Sequence, residues 1–119
     1  MATPNIVNVA TINAKNAMGA LANTSRTTMI DVPAEKIAKV NTILIANIDG
    51  TNAADVTIEV SNDNGSTYYK LASTISIPAD ATLSFLENPI YLDETDLLAV
   101  TASAANDLSY FVSYEEITD

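Results

Sequence analysis

The sequence predicts an all-β protein: a single-domain antiparallel β-sandwich, jelly-roll or Ig-like, with about eight to nine short strands. Apolar and polar residues alternate with a period of two in several short segments. Turn-forming residues separate these segments at close intervals. No convincing long helical pattern interrupts them, and 119 residues suffice for one domain with a single core.

The N-terminal third is the least clearly patterned part of the chain. Residues 6–12 are rich in β-branched side chains and predict a strand that is apolar on both faces. Residues 13–25 carry a short helical stripe, but Gly19 weakens a helix interior, so an extended segment is predicted. The chain is therefore divided into an N-terminal arm or strand, residues 1–25, and a β-sandwich domain, residues 26–119.

Further strands follow from apolar runs or from alternation. They are residues 27–32, 40–48, 56–60, 67–77, 82–86, 90–92, 97–102 and 108–114. The run at 40–48 is apolar on both faces, which predicts a central strand. Residues 34–38 are charged and predict a loop or a single turn. The pair Asn64-Gly65 predicts a hairpin between the strands that flank it.

The last two predicted strands flank a short polar corner, and we expect them to form a hairpin. In the second strand the residues expected to face inward are Leu108, Tyr110, Val112 and Tyr114. Phe111 then points outward between two serines, which predicts a contact surface. A covering loop or a second buried face would explain the same pattern equally well.

The charge balance excludes some classes of partner. Fifteen acidic residues against five basic ones give a net charge of −10, with no histidine. Such a chain is repelled by phosphate backbones and anionic lipid, so we expect no nucleic-acid and no membrane-surface partner. It has no cysteine, which gives no indication of redox compartment. It has no signal-like N-terminus and no apolar run near the roughly 20 residues that span a bilayer, which predicts synthesis in a cytoplasm.

The residue types needed for most catalysis are also missing. Without histidine or cysteine the chain has no standard catalytic triad, no usual zinc ligands and no common general base. Glu115 and Glu116 are adjacent on a strand and point to opposite faces, so they cannot act on one bond. The acidic segments 62–65 and 93–96 are expected to form turns rather than bind calcium. We therefore predict a non-enzymatic protein without a metal or cofactor.

Three tyrosines leave a second reading open. Tyr68, Tyr69 and Tyr91 would form a sugar-binding platform if their rings were exposed together. The commoner role for such residues is packing within the core or across strands. A carbohydrate-binding adhesion module is therefore an alternative function from a different class.

Three segments carry a resemblance to a known family. They are ANIDGTNAADVTIEVS at residues 46–61, YYKLASTISIPADATL at residues 68–83 and NPIYLDETDLLAVTASAANDLSYFVSYEEI at residues 88–117. In these segments the chain resembles small virion structural proteins encoded by tailed phages, especially phages of marine cyanobacteria. The resemblance covers about two-thirds of the chain.

The resemblance implies a β-sandwich component of a virus particle, made in the host cytoplasm and present in many copies. Head decoration, neck, tail and fibre positions all stay open. Because the acidic charge disfavours surfaces that meet packaged DNA, we favour a capsid decoration, or cement, protein on the outer head surface. The expected partners are the major capsid protein and further copies of the chain, a trimer being one suitable arrangement. Candidate interface residues are Ile6, Val7, Val9, Met18, Leu21 and Phe111.

Overall fold

The computed structural model describes residues 11–118, and this range contains nine strands and no helix. The strands are β1 (Thr11–Ala20), β2 (Thr27–Asp31), β3 (Lys36–Asn47), β4 (Ala54–Ser61), β5 (Tyr69–Ile77), β6 (Thr82–Ser84), β7 (Ile90–Leu92), β8 (Leu97–Ala102) and β9 (Leu108–Thr118). All of them pair antiparallel. The predicted fold class is confirmed.

The strands form two sheets that pack face to face. Sheet A has the order β1-β9-β3-β6, with β7 also pairing with β3, and sheet B has the order β2-β8-β4-β5. The short strands β6 and β7 both lie along β3, so they act as two halves of one interrupted strand. Counted in this way, the orders become 1-8-3-6 and 2-7-4-5, which is the strand order of a jelly roll rather than of an immunoglobulin domain.

The core lies between the sheets and consists almost entirely of aliphatic side chains. Alternate residues of the central strands point into it, as the period-two pattern predicts. The largest fully buried side chains are Leu21, Val32, Val40, Ile43, Ile45, Val56, Ile58, Ile77, Leu98, Val100, Leu108 and Val112. Tyr110 and Tyr114 are half-buried and pack against this cluster, so the inward face predicted for β9 is confirmed.

The expected hairpin between β8 and β9 is wrong. β8 pairs with β2 and β4 in sheet B, whereas β9 pairs with β1 and β3 in sheet A. The corner between them therefore crosses from one sheet to the other. It is held by hydrogen bonds that Ser103 N donates to Asp55 O at 2.9 Å and Asn106 N donates to Leu21 O at 2.8 Å. A sequence pattern identifies two adjacent strands but not whether they pair with each other.

The interpretation of residues 34–38 as a loop is partly wrong, because β3 begins at Lys36. The charges of this segment do not prevent pairing, since Lys36 and Lys39 both find carboxylate partners on β9. A register shift between Val40 and Thr42 then reverses the alternation of β3. As a result Val40 and Ile43 both face the core while Leu44 faces outward. The prediction that residues 40–48 form a central strand is confirmed.

The extended conformation predicted for residues 13–25 is confirmed as far as Ala20. β1 pairs with β9 along its whole length, from Thr11 opposite Thr118 to Ala20 opposite Ser109. The Tyr110 side chain packs directly over Gly19, where a larger residue would be crowded. A Cβ on Gly19 would lie only 3.1 Å from the Tyr110 hydroxyl. The strand predicted for residues 6–12 lies outside the described residues except for its last two positions.

The hairpin predicted at Asn64-Gly65 is confirmed, since β4 and β5 pair antiparallel around it. Asn64 and Gly65 both have positive φ, at 57° and 90°, which is the conformation that an Asn-Gly pair tolerates best. The pairing shifts register between Val56 and Ile58 and again next to Glu59. Most side chains of β5 are exposed, and only Ile77 at its end is fully buried.

Candidate interaction surfaces

The outer face of sheet A carries no charge over three successive rows of side chains. The pairing places Met18, Phe111, Leu44 and Ser84 in one row, Ala20, Ser109, Ala46 and Thr82 in the next, and Asn16, Ser113 and Thr42 on the other side. None of these residues is buried. We call them the uncharged face. Their side chains are all uncharged, and Met18, Phe111 and Leu44 form the apolar centre of the face.

Charged residues begin beyond the uncharged face. On one side Lys39 Nζ lies 3.8 Å from Glu115 Oε1, an ion pair on the same side of the sheet. At the other end Ile48, which is 60% exposed, continues the apolar row of β3 into a loop that contains Asp49. In a chain with a net charge of −10, a neutral area of this kind can contact another protein without burying a charge.

The outer face of sheet B is different because a loop and an ion pair cover part of it. Arg26 donates hydrogen bonds to both carboxylate oxygens of Glu59, at 3.1 and 3.3 Å, and its guanidinium lies 3.8 Å from the Tyr68 ring centroid. Glu59 is 5% exposed, so its charge is satisfied inside the protein. A Cβ on Gly65 would lie 3.5 Å from Leu97 Cδ1. Leu97 is the first residue of β8, so the β4–β5 loop lies close to that strand of sheet B.

A second ionic cluster ties three strands of sheet A together. Glu116 is 5% exposed, and its Oε1 accepts hydrogen bonds from Lys15 on β1 at 3.2 Å and from Lys36 on β3 at 3.1 Å. Burial by itself raises the pKa of a carboxyl group, but the two lysines outweigh this effect and hold the pKa of Glu116 below its usual 4.5. The cluster has a structural role, because the buried Glu116 carboxylate on β9 pairs with a lysine from each neighbouring strand.

A cleft opens at the edge of the sandwich between β5 and β7. Sheet A ends there in two three-residue strands, which leave the longer β5 of sheet B uncovered. Tyr69 is consequently 61% exposed and Leu71 is 51% exposed. The cleft has a volume of about 350 Å³ and is lined by Val60, Ser61, Asn62, Tyr69, Leu71, Ile90, Tyr91, Leu92 and Asp96.

One carboxyl group borders this cleft in an environment that is partly desolvated. Asp96 accepts a hydrogen bond from the backbone N–H of Asp93 at 2.9 Å. Burial, with a smaller contribution from the charge of Asp93, raises the pKa of Asp96 above its usual value, although the Asp93 hydrogen bond acts in the opposite sense. The structure thus brings Tyr69 and Tyr91 to one cleft, while Tyr68 stacks under Arg26 and is not part of a shared platform.

The acidic turns use their carboxylates on the backbone. Asp63 Oδ1 accepts hydrogen bonds from Thr67 N and Ser61 Oγ, each at 2.8 Å, and Asp49 Oδ1 accepts one from Thr51 N at 2.8 Å. These bonds lower the pKa of both aspartates. Within residues 11–118 there is no group of three or more acidic side chains that could hold a metal ion. No helix in that range is long and apolar enough to cross a membrane.

The structure separates the predicted interface residues. Met18 and Phe111 lie directly opposite each other on β1 and β9, in the centre of the uncharged face. Leu21 is 1% exposed and belongs to the core, so its interpretation as a surface contact is wrong. The chain turns inward after β1, because Leu21 N donates a hydrogen bond to Leu108 O at 2.8 Å. Ile6, Val7 and Val9 lie outside the described residues.

Two important residues were not identified from the sequence. Leu44 lies in the same outward-facing row as Met18 and Phe111 only because of the register shift in β3. No sequence pattern predicts this shift. Asn47 is 2% exposed and donates hydrogen bonds to Asn52 O and Ile77 O at 2.9 and 3.0 Å. An asparagine that ends an apolar strand just before a turn is the one available signal for such a role.

Comparisons with known proteins bear on the fold. No protein-family model matches the chain, and no curated protein sequence matches it significantly. A Bacillus endospore appendage protein, from appendages that form disulfide-linked pili, is 17% identical, with 91% of this chain and 88% of that one covered and a TM-score of 0.54. The core of Drosophila NLP, whose structure concerns pentamer formation and histone binding, is 12% identical, with 86% and 96% covered and a TM-score of 0.50.

A viral structure is also among the similar ones. A pentameric capsid protein from metagenomic phage sequences is 19% identical, with 89% of this chain and 60% of that one covered, but its TM-score is 0.39. At such identities the Bacillus and Drosophila structures establish the shared β fold and nothing about activity or partners. The phage capsid protein is too distant in structure to add to this.

Proposed function

We propose that this chain is a non-enzymatic structural protein of a tailed-phage virion, and specifically a decoration (cement) protein on the outer surface of the head. The observation that carries the proposal is the uncharged face of sheet A. It is a solvent-accessible area with Met18, Phe111 and Leu44 at its centre, on a domain that is otherwise strongly acidic. The sequence resemblance to cyanophage virion proteins supports the same role.

The charge distribution supports an outer position on the head. A net charge of −10 per copy is unfavourable next to packaged DNA, whereas on the outside of the shell it faces solvent and salt. The uncharged face docks on the major capsid protein, and the acidic remainder points away. Many copies that bind only the assembled shell shift the equilibrium toward that shell, which is how a decoration protein stabilises a particle. Contacts between neighbouring copies, such as a trimer at a three-fold position, add to this effect.

The test is binding to heads of the encoding phage from which this protein has been deleted. Wild-type protein is expected to co-sediment with the heads, and a Met18→Ser/Phe111→Ser variant is expected to lose at least about tenfold in affinity because two central apolar contacts are removed. Tyr69→Ala is the matched control, since it removes an exposed apolar side chain that lies off the uncharged face.

Full occupancy by the folded double variant would refute the role of the uncharged face. A labelled antibody on intact particles then separates the head from the neck, tail and fibre positions. Label confined to the tail would refute the decoration role while leaving a virion structural protein.

A further inference from the structure

We propose that the cleft between β5 and β7 binds a neutral saccharide, which would give the chain an adhesion activity beyond its structural role. The cleft combines an exposed tyrosine ring and an exposed leucine on one wall with a carboxylate and an amide at its border. Its volume of about 350 Å³ is at the small end of the range for ligand sites and accommodates about one or two sugar rings.

The apolar wall of the cleft suits the apolar face of a sugar ring. Tyr69 and Leu71 stay exposed because the opposing edge of sheet A is interrupted between β6 and β7. Ile90 and Leu92 line the cleft from the other sheet. A tyrosine ring offers a large, rigid surface at low conformational entropy, and its hydroxyl can bond at the same time. A ring that stacks here covers exposed apolar area without needing a charged group.

The polar groups of the cleft favour a neutral ligand with both donors and acceptors. Asp96 accepts hydrogen bonds, and the exposed Asn62 both donates and accepts them. An anionic ligand would be repelled by Asp96 and by the net charge of −10. A purely cationic ligand would pair with Asp96 but could not use the donor group of Asn62. Sugar hydroxyls satisfy both side chains.

The Asp96 carboxylate is also held in place before a ligand arrives. Its backbone is fixed by Val32 N, which donates to Asp96 O at 3.0 Å, and its side chain accepts the hydrogen bond from Asp93 N. Its raised pKa agrees with a carboxylate that lacks part of its hydration. Hydroxyl donors from a sugar would restore that hydration, so binding should lower this pKa.

The cleft is separate from the uncharged face. Tyr69 and Leu71 belong to the edge strand of sheet B, whereas Met18 and Phe111 lie on the outer side of sheet A. A copy that docks through the uncharged face therefore leaves the cleft accessible. The failure of one proposal does not decide the other.

The test uses the full chain on an array of neutral mono- and oligosaccharides, with hits titrated by NMR. We expect at least one hexose-containing sugar to bind and to shift the amide signals of Asn62, Leu71 and Asp96. Tyr69→Ala is expected to weaken binding about tenfold, while Tyr69→Phe, which keeps the ring, retains most of it. Asp96→Asn keeps a side-chain oxygen that can accept the hydrogen bond from Asp93 N but removes the carboxylate charge. We expect this variant to bind the sugar clearly more weakly.

Phe111→Ser serves as the matched control, because it changes the uncharged face and should leave sugar binding unaltered. The proposal is overturned if no neutral sugar on the array binds. It is equally overturned if Tyr69→Ala leaves the affinity for a bound sugar unchanged. Binding of arginine and lysine amides at the cleft, without binding of sugars, would also overturn it.

Discussion

Glu116 illustrates how single residues stabilise this acidic fold. It lies on β9 between β1 and β3, and its carboxylate accepts hydrogen bonds from Lys15 and Lys36. Two of the five basic residues of the chain are thus committed to one buried carboxylate. The sequence predicts only that adjacent Glu115 and Glu116 point to opposite faces of the strand. Only the pairing register shows that one is buried between two lysines and the other lies at the surface.

Glu116→Gln should reduce stability in a pH-dependent way. Because the folded pKa of Glu116 is lowered, its contribution is present above the unfolded value near 4.5 and is lost as the pH falls through the folded pKa. We expect the variant to lose about 1 kcal/mol of unfolding free energy at pH 7, a modest value because both lysines stay in contact with water. Urea unfolding of both proteins at pH 7 and pH 3 measures the difference.

The difference between wild type and Glu116→Gln should shrink toward zero at pH 3. Asp49 and Asp63 also have lowered pKa values, but they are present in both proteins and cancel in the comparison. Glu115→Gln, on the opposite side of the same strand, is the control and should change stability by at most about 0.5 kcal/mol. A pH-independent difference would contradict this account of Glu116.

At the scale of elements, β1 is more than an arm. It pairs with β9 over ten positions, and the chain that follows it brings Leu21 into the core. Residues 1–25 were predicted as an arm or a strand, and β1 is a strand whose contacts cross the predicted division at residue 25. The pattern could not reveal this, because most side chains of β1 are exposed on both faces and its stability comes from the backbone ladder.

Leu21 and Met18 should respond very differently to substitution, although both were predicted as contacts. Leu21→Ala leaves a cavity in a closed core and should reduce the unfolding free energy by about 3 kcal/mol. Met18→Ser removes a side chain that is 60% exposed and should change it by no more than about 0.5 kcal/mol. Denaturant unfolding measures the loss of unfolding free energy for both variants. If Leu21→Ala lost as little unfolding free energy as Met18→Ser, the account of Leu21 as a core residue would be contradicted.

The positions of the strands can be predicted from the sequence, but the way in which the strands connect and pair cannot. The strand positions from Thr27 onward are predicted well, since each depends on local alternation and local turn residues. The β8–β9 corner is not, because pairing within a sheet and crossing between sheets look alike in sequence. The row of Met18, Phe111 and Leu44 needs the same long-range information, namely the register of three strands and one bulge.

At the scale of the whole molecule, the distribution of charge is more informative than its sum. The total of −10 predicts repulsion from nucleic acid and anionic membranes, and this prediction needs only the composition. Among residues 11–118, the structure adds that the uncharged face occupies three rows of side chains on sheet A, while an ion pair and a loop cover part of the outer side of sheet B. A polarised surface of this kind fits a protein that docks through one side and presents the other to solvent.

The most direct test of the decoration role is the copy number of this protein in purified virions of the encoding phage, measured by quantitative mass spectrometry against the major capsid protein. A protein that occupies symmetry-repeated sites over the whole head should be present on the order of hundreds of copies per particle. A few tens of copies, as for a neck or tail component, or absence from the virion, would contradict the proposal.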